Sequence, residues 1–211
     1  GIRANFGTMT KPMHPGNAAR AGILSAKLAA RGYEASPDVY EHRFGYFAVF
    51  GEHMAHLANV PRHLGNPWAL MGQGRDVAKG AIIKKWPTCG ITHASATAIG
   101  RLLAKHRFSA DEVESVDMVT TYNPSVMAAH IRWPKTPLEG KFSPWYTTAS
   151  LIVDGKLDLS SFTDAAFARP QVQELLKRVN ITQDREMAGR PHRAMGGQTC
   201  WDISVNLKNG T

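Results

Sequence analysis

Apolar and polar positions alternate from Thr199 to Lys208. Trp201, Ile203, Val205 and Leu207 share one face; Cys200, Asp202, Ser204, Asn206 and Lys208 share the other. That period of two predicts a half-buried strand. Asn209-Gly210 follows, a strong signal for a tight hairpin turn. No returning arm comes after it, so two readings stand: the chain is cut there, or the partner strand lies elsewhere. Val113, Val116, Met118 and Thr120 predict another strand over residues 113–122, and residues 179–183 a short third one.

Helical signals fill the intervals. Residues 15–30 read as an alanine-rich helix with Pro15 in its first turn and Gly32 at the position just past its end. Ser36-Pro37-Asp38 has the order of a second helix start: cap, proline, then an acid. Residues 44–50 and 52–64 predict short helical pieces broken by Gly51, Pro61 and Gly65, and residues 66–80 predict loop. Residues 94–106 form a helix pattern with Ile99, Leu102 and Leu103 as its apolar contacts. Ser109 and Glu112 have capping-box spacing, but a strand pattern follows them. Ser143-Pro144 opens a helix that Asp154-Gly155 closes, and Pro170 opens another through Val172, Leu175 and Leu176. The expected fold class is α plus α/β. Residues 1–84 are helical and residues 85–211 mixed.

Composition narrows the class without naming a function. A hydrophobic share of 43% and a charged share of 20% are ordinary for a globular protein. No apolar run is long enough to span a bilayer, and the first sixteen residues lack a signal-peptide pattern. Cys89 and Cys200 make neither a disulfide framework nor a zinc site. A reducing, cytoplasmic setting and no membrane partner are therefore expected. The net charge of +8 favours anionic partners. No run of Lys or Arg exceeds two residues, against the clustering a nucleic-acid groove requires. The expectation is a small anionic ligand and no nucleic acid; a basic interaction module is the non-enzymatic alternative.

Three stretches carry candidate chemistry. In Gly7-Thr-Met-Thr-Lys11-Pro-Met-His14-Pro-Gly16, a cation and an imidazole sit three residues apart in a loop entering a helix. Backbone N–H groups, an ammonium and a titratable ring suit a carboxylate; an ordinary surface loop is an equal alternative. In Lys84-Lys85-Trp86-Pro87-Thr88-Cys89-Gly90-Ile91-Thr92-His93, cations and a histidine again flank a tight turn. Here the plain readings are Trp86 as a core anchor, Thr92 as a helix cap and His93 satisfying a local backbone group. In Phe142-Ser143-Pro144-Trp145-Tyr146, a tyrosine stands in the first turn of a helix, where core packing competes with contact to a ligand. Nine histidines without a dense cluster predict no metal site.

In this order the three stretches resemble the MmgE/PrpD family, which includes 2-methylcitrate dehydratase, cis-aconitate decarboxylase and iminodisuccinate epimerase. The stretch from Gly7 to Gly22 is similar to the family's signature loop and helix. The Lys84–His93 stretch is similar to its lysine–aromatic–proline–Thr-His block, and the Lys141–Tyr146 stretch to its tyrosine-bearing helix start. The resemblance implies part of a helical domain followed by most of a smaller α/β lid, with the site between them, in a chain holding about half of a full member. It implies a cofactor-independent lyase acting on a small polycarboxylate, 2-methylcitrate dehydratase-like, with decarboxylation or epimerisation as alternatives, no metal, and a homodimer in the full-length protein. Residue by residue it implies catalytic positions at Lys11, His14, Lys84 and Tyr146 and substrate-binding positions at Cys89 and His93. Cys89 departs from the decarboxylase pattern, which has histidine there, and so counts against decarboxylation.

Overall fold

The computed structural model describes residues 1–50, 83–121, 130–184 and 201–211. The expected pieces at 52–64 and 66–80 lie outside the described residues. The chain divides into two compact units, Pro12–Ile82 and Gly1–Lys11 with Ile83–Thr211.

In the first unit, Met13–Ala29 is helix α1. Its end is a Schellman arrangement: Tyr33 N–H reaches the Leu28 carbonyl at 3.1 Å and Gly32 N–H the Ala29 carbonyl at 2.9 Å. Gly32 takes the left-handed φ of 81° that this closure needs. No α1 residue is buried. Ser36-Pro37-Asp38 opens turns and not the expected helix. The Ser36 hydroxyl donates to the Asp38 carboxylate at 2.5 Å, so it does not cap backbone N–H groups. Helix α2 is the single turn Tyr46–Phe50.

The second unit is a helix-and-sheet layer. Helix α3, Thr92–His106, ends at Arg107 in the left-handed region. The Ser109–Glu112 capping box closes one 3-10 turn, which delivers the chain into β1, Val113–Thr120. Helices α4 (Pro137–Gly140), α5 (Pro144–Asp154), α6 (Asp164–Phe167) and α7 (Pro170–Lys177) follow. Strands β2, Val179–Gln183, and β3, Trp201–Leu207, complete a sheet of order β2-β1-β3. β1 runs parallel to β2 and antiparallel to β3. The strand expected to wait for a returning hairpin arm thus has its partner upstream. Asn209-Gly210 still makes a tight turn, with Gly210 at φ 86° and Leu207 N–H bonded to the Thr211 carbonyl at 2.8 Å.

A register shift between Val113 and Ser115 settles how β1 buries its side chains. Val113 and Val116 are three apart, a break in the alternation, yet both are fully buried. The bulge takes up the extra residue and returns Val116, Met118 and Thr120 to the core face. Against that face pack Ile99 of α3, Ala149 and Ile152 of α5, and Val172, Leu175 and Leu176 of α7. The opposite face is polar: Asn206 donates to Ser115 Oγ at 2.8 Å and to Asp117 at 2.6 Å, and Asn180 donates to Asp117 at 2.9 Å. These cross-strand bonds tie all three strands in register.

Candidate functional site

The Lys84–His93 stretch is a tight knot at the entrance to α3. Lys84 Nζ donates to the Thr88 carbonyl at 2.7 Å. Thr92 Oγ1 donates to the Cys89 carbonyl at 2.9 Å, so the proton in its 2.7 Å bond to Thr88 Oγ1 comes from Thr88. Thr92 therefore does not cap α3; it is the first helical residue and ties the turn shut from behind. Trp86 packs on the core as expected, and His93 meets its ring edge-on at 5.3 Å. His93 Nε2 is buried and has no hydrogen-bond partner among the described residues. Burial holds the imidazole below the ordinary histidine pKa. The Lys84 charge adds to this, and backbone groups of Trp86 and Thr88 oppose it.

This knot is fastened to the third stretch by one main-chain bond, Cys89 N–H to the Lys141 carbonyl at 2.9 Å. The first stretch arrives from the chain start. Phe6 packs on Phe142 with the rings tilted by 43° and their centroids 5.3 Å apart, and Lys11 Nζ lies 5.6 Å from the Phe6 ring centre. Gly7 makes that approach possible: it has φ 85°, and a Cβ there would stand 3.0 Å from Ile131 Cδ1. Lys11, Lys84, Cys89, His93 and Tyr146 all belong to this unit. His14 lies in the first turn of α1, in the other unit.

Tyr146 is fully buried. Its hydroxyl donates to the Ser161 carbonyl at 2.6 Å, and its ring lies 5.8 Å from Phe162 and 5.1 Å from Phe167. Burial raises its pKa. Ser143 accepts from Tyr146 N–H at 3.1 Å, and Gly140 lies against the ring so closely that a Cβ would be 2.9 Å from Cδ1. This is the packing arrangement set out above as the alternative to ligand contact.

Lys141 was not singled out from sequence, although it begins the third stretch. It joins that stretch to the Lys84 knot through its carbonyl, and its ammonium stands 5.4 Å from the Phe162 ring centre. Among the described residues no carboxylate pairs with Lys11, Lys84, Lys85 or Lys141. Unneutralised ammonium groups on contacting stretches suit a ligand with more than one negative charge. No group of three or more His, Cys, Asp and Glu among the described residues is placed to hold a metal ion. No helix among them is long and apolar enough to cross a membrane.

Comparison with known proteins agrees with the motifs. The model of the MmgE/PrpD C-terminal domain matches residues 86–211, and that of the MmgE/PrpD N-terminal domain matches residues 1–56. Cis-aconitate decarboxylase of Mus musculus is 29% identical over 212 residues, covering 99% of this chain and 41% of that protein. The Homo sapiens cis-aconitate decarboxylase is also 29% identical, covering 98% of this chain and 41% of that protein. The Aspergillus terreus cis-aconitate decarboxylase is 27% identical, covering 88% and 39%. The chain thus spans about two-fifths of the length of these curated relatives. With the C-terminal domain model covering more than half of its residues, the chain belongs to the MmgE/PrpD family.

Proposed function

We propose that this chain is part of a cofactor-independent lyase acting on a small polycarboxylate, with Lys11 and Lys84 holding substrate carboxylates. Residues 1–84 would belong to its helical domain and residues 85–211 to most of its α/β lid. One observation carries the reading: three lysine-bearing stretches, far apart in sequence, are tied together through Phe6–Phe142 and Cys89–Lys141. Moving a proton on a carbon beside a carboxylate builds negative charge on that carboxylate. Fixed cations in a water-poor site are the physical remedy. His93 and Cys89 flank the Lys84 position as substrate contacts. Tyr146 serves as a positioning residue: its buried ring and hydroxyl hold the stretch that carries Lys141 and Phe142. His14 is a further proton-transfer candidate on α1.

Within this class the reaction proposed is dehydration of a hydroxy-polycarboxylate such as 2-methylcitrate. Cys89 supports it, standing where the decarboxylase pattern has histidine. Decarboxylation is the second reading, favoured by the names of the similar proteins, which are cis-aconitate decarboxylases. The test is to express the full reading frame and follow 2-methylcitrate and cis-aconitate by NMR. Loss of water from the first supports dehydration, and loss of carbon dioxide from the second supports decarboxylation. Turnover of neither, with salt-dependent retardation of nucleic acid in a gel, would support the basic interaction module instead.

A further inference from the structure

We propose that His93 is the proton-transfer residue of this site, its Nε2 exchanging a proton with the substrate carbon next to a carboxylate. The inference rests on the lyase reading above and assigns the group that reading leaves open.

The geometry starts from an unsatisfied atom. His93 Nε2 is buried without a hydrogen-bond partner among the described residues, whereas the Thr88 and Thr92 hydroxyls of the same stretch are both bonded. A buried polar atom left unpaired is destabilising, so a reason for keeping it is required. The ring cannot swing away freely: Trp86 meets it edge-on at 5.3 Å, and its own residue lies in the first turn of α3, with its carbonyl bonded to Thr97 Oγ1 at 2.8 Å. Lys84 stands beside it. The Thr88 carbonyl that accepts from Lys84 Nζ at 2.7 Å is also one of the backbone groups acting on the imidazole. An ammonium that binds a carboxylate and an imidazole that reaches the adjoining carbon would thus be presented by one turn of ten residues.

The protonation state fits. Burial and the Lys84 charge both favour the neutral ring. The other charged or titratable groups of the surrounding stretches are Lys85, whose ammonium is 4.5 Å from the Trp86 ring centre, Cys89 in the turn, and Lys141 across the Cys89 main-chain bond. None of the three lysines would help the ring to hold a proton. In the step proposed, the C–H bond beside a carboxylate breaks and its proton passes to Nε2. The electron pair moves into the carboxylate, forming an enediolate that faces Lys84. The enediolate then collapses, its β C–O bond breaks, and the leaving hydroxyl takes the proton from Nε2 to depart as water, which returns the ring to its neutral form. In a decarboxylation the same residue acts in the opposite sense, returning a proton to the carbanion left by carbon dioxide. That sense would need the protonated ring, which burial and the Lys84 charge disfavour, so the assignment is made for the dehydration.

The experiment uses the protein from its full reading frame, with 2-methylcitrate and cis-aconitate in deuterated water. NMR reads deuterium incorporation at carbon, and turnover is followed in parallel. In His93→Gln, an amide nitrogen replaces Nε2 at similar reach. The expected result is unchanged melting, KM within about threefold, and incorporation slowed about a hundredfold or more. Incorporation within threefold of the unsubstituted protein would overturn the proposal and leave His93 a packing residue. If the variant does not fold, the pH profile of the unsubstituted protein decides. The proposal expects incorporation to be level above the ordinary histidine range and to fall on the acid side with a pKa below 6.5; a controlling group that titrates above 7 would overturn it. No turnover or incorporation by the unsubstituted protein with either acid would instead reject the lyase reading on which the inference stands.

Discussion

Replacing Lys84 with alanine tests two consequences of the knot at the start of α3. The residue is exposed overall, and its single bond, to the Thr88 carbonyl at 2.7 Å, is partly buried. Losing one partly buried bond of this kind costs about 0.5–1.5 kcal/mol of stability. The chemical cost is larger. A charge aimed at a developing anion contributes about 2–4 kcal/mol to the transition state, which converts to a loss of about 30- to 1000-fold in kcat/KM. The same substitution removes the second cause that lowers the His93 pKa and leaves burial, the first, in place. The imidazole should therefore titrate closer to its ordinary value while staying below it. The sign for stability follows. A histidine pKa lowered by folding means that the unfolded chain binds the proton more readily. The contribution of the neutral buried ring is complete above the ordinary histidine pKa and is lost as pH falls toward the folded one. Lys84→Ala should make that acid-side loss smaller. Steady-state kinetics on the full reading frame measure the first effect, and NMR titration of the His93 ring measures the second. Near-normal kcat/KM together with an unmoved His93 titration would refute the reasoning.

Tyr146→Phe removes the donor to the Ser161 carbonyl in a closed core and should cost about 1–2 kcal/mol of stability by denaturant unfolding, with kcat reduced only severalfold. A hundredfold fall in kcat with unchanged stability would show that the hydroxyl does chemistry. Gly140→Ala places a methyl 2.9 Å from Tyr146 Cδ1 and should destabilise by about 1–3 kcal/mol; a neutral result in thermal melting would contradict the close approach. Arg169→Met breaks a two-pronged pair with Asp154, both bonds 2.7 Å, and leaves a largely buried carboxylate with only a 3.5 Å contact to Ser150. It should cost about 1–3 kcal/mol, and an unchanged denaturation midpoint would contradict the clamp.

Elements with local chemical signals at both ends were legible in the sequence. α5 begins at Ser143-Pro144 and ends at Gly155 because a side-chain cap, a fixed φ and a left-handed glycine are all sequence-local devices. α7 follows the same logic, with a proline start and apolar spacing, and Val179 and Ile181 give β2 its alternation. The four-residue helices α4 and α6 were missed although Thr136 and Thr163 cap them, because an element that short has no periodicity to detect. Ser36-Pro37-Asp38 shows the opposite failure: the signal was present, but the serine hydroxyl found the Asp38 carboxylate first. Pairing was least legible. Nothing local to residues 199–210 says that β3 joins β1 some ninety residues upstream, or that a bulge repairs the broken alternation after Val113. The candidate site divides in a similar way. Lys11, Lys84 and His93 stand in motif-like stretches, which is what makes them candidates from sequence. The bridging role of Lys141 depends on a main-chain bond to Cys89 that only folding creates.

The central claim is that Lys11 and Lys84 serve one polycarboxylate site. Calorimetric titration with tricarballylate, an unreactive tricarboxylate, tests it without requiring turnover. The protein from the full reading frame should bind one equivalent, more weakly as salt rises, and Lys11→Ala and Lys84→Ala should each weaken binding tenfold or more, with the double variant showing no further proportional loss. Binding that both substitutions leave unchanged would contradict the claim, as would no binding to the unsubstituted protein at low salt.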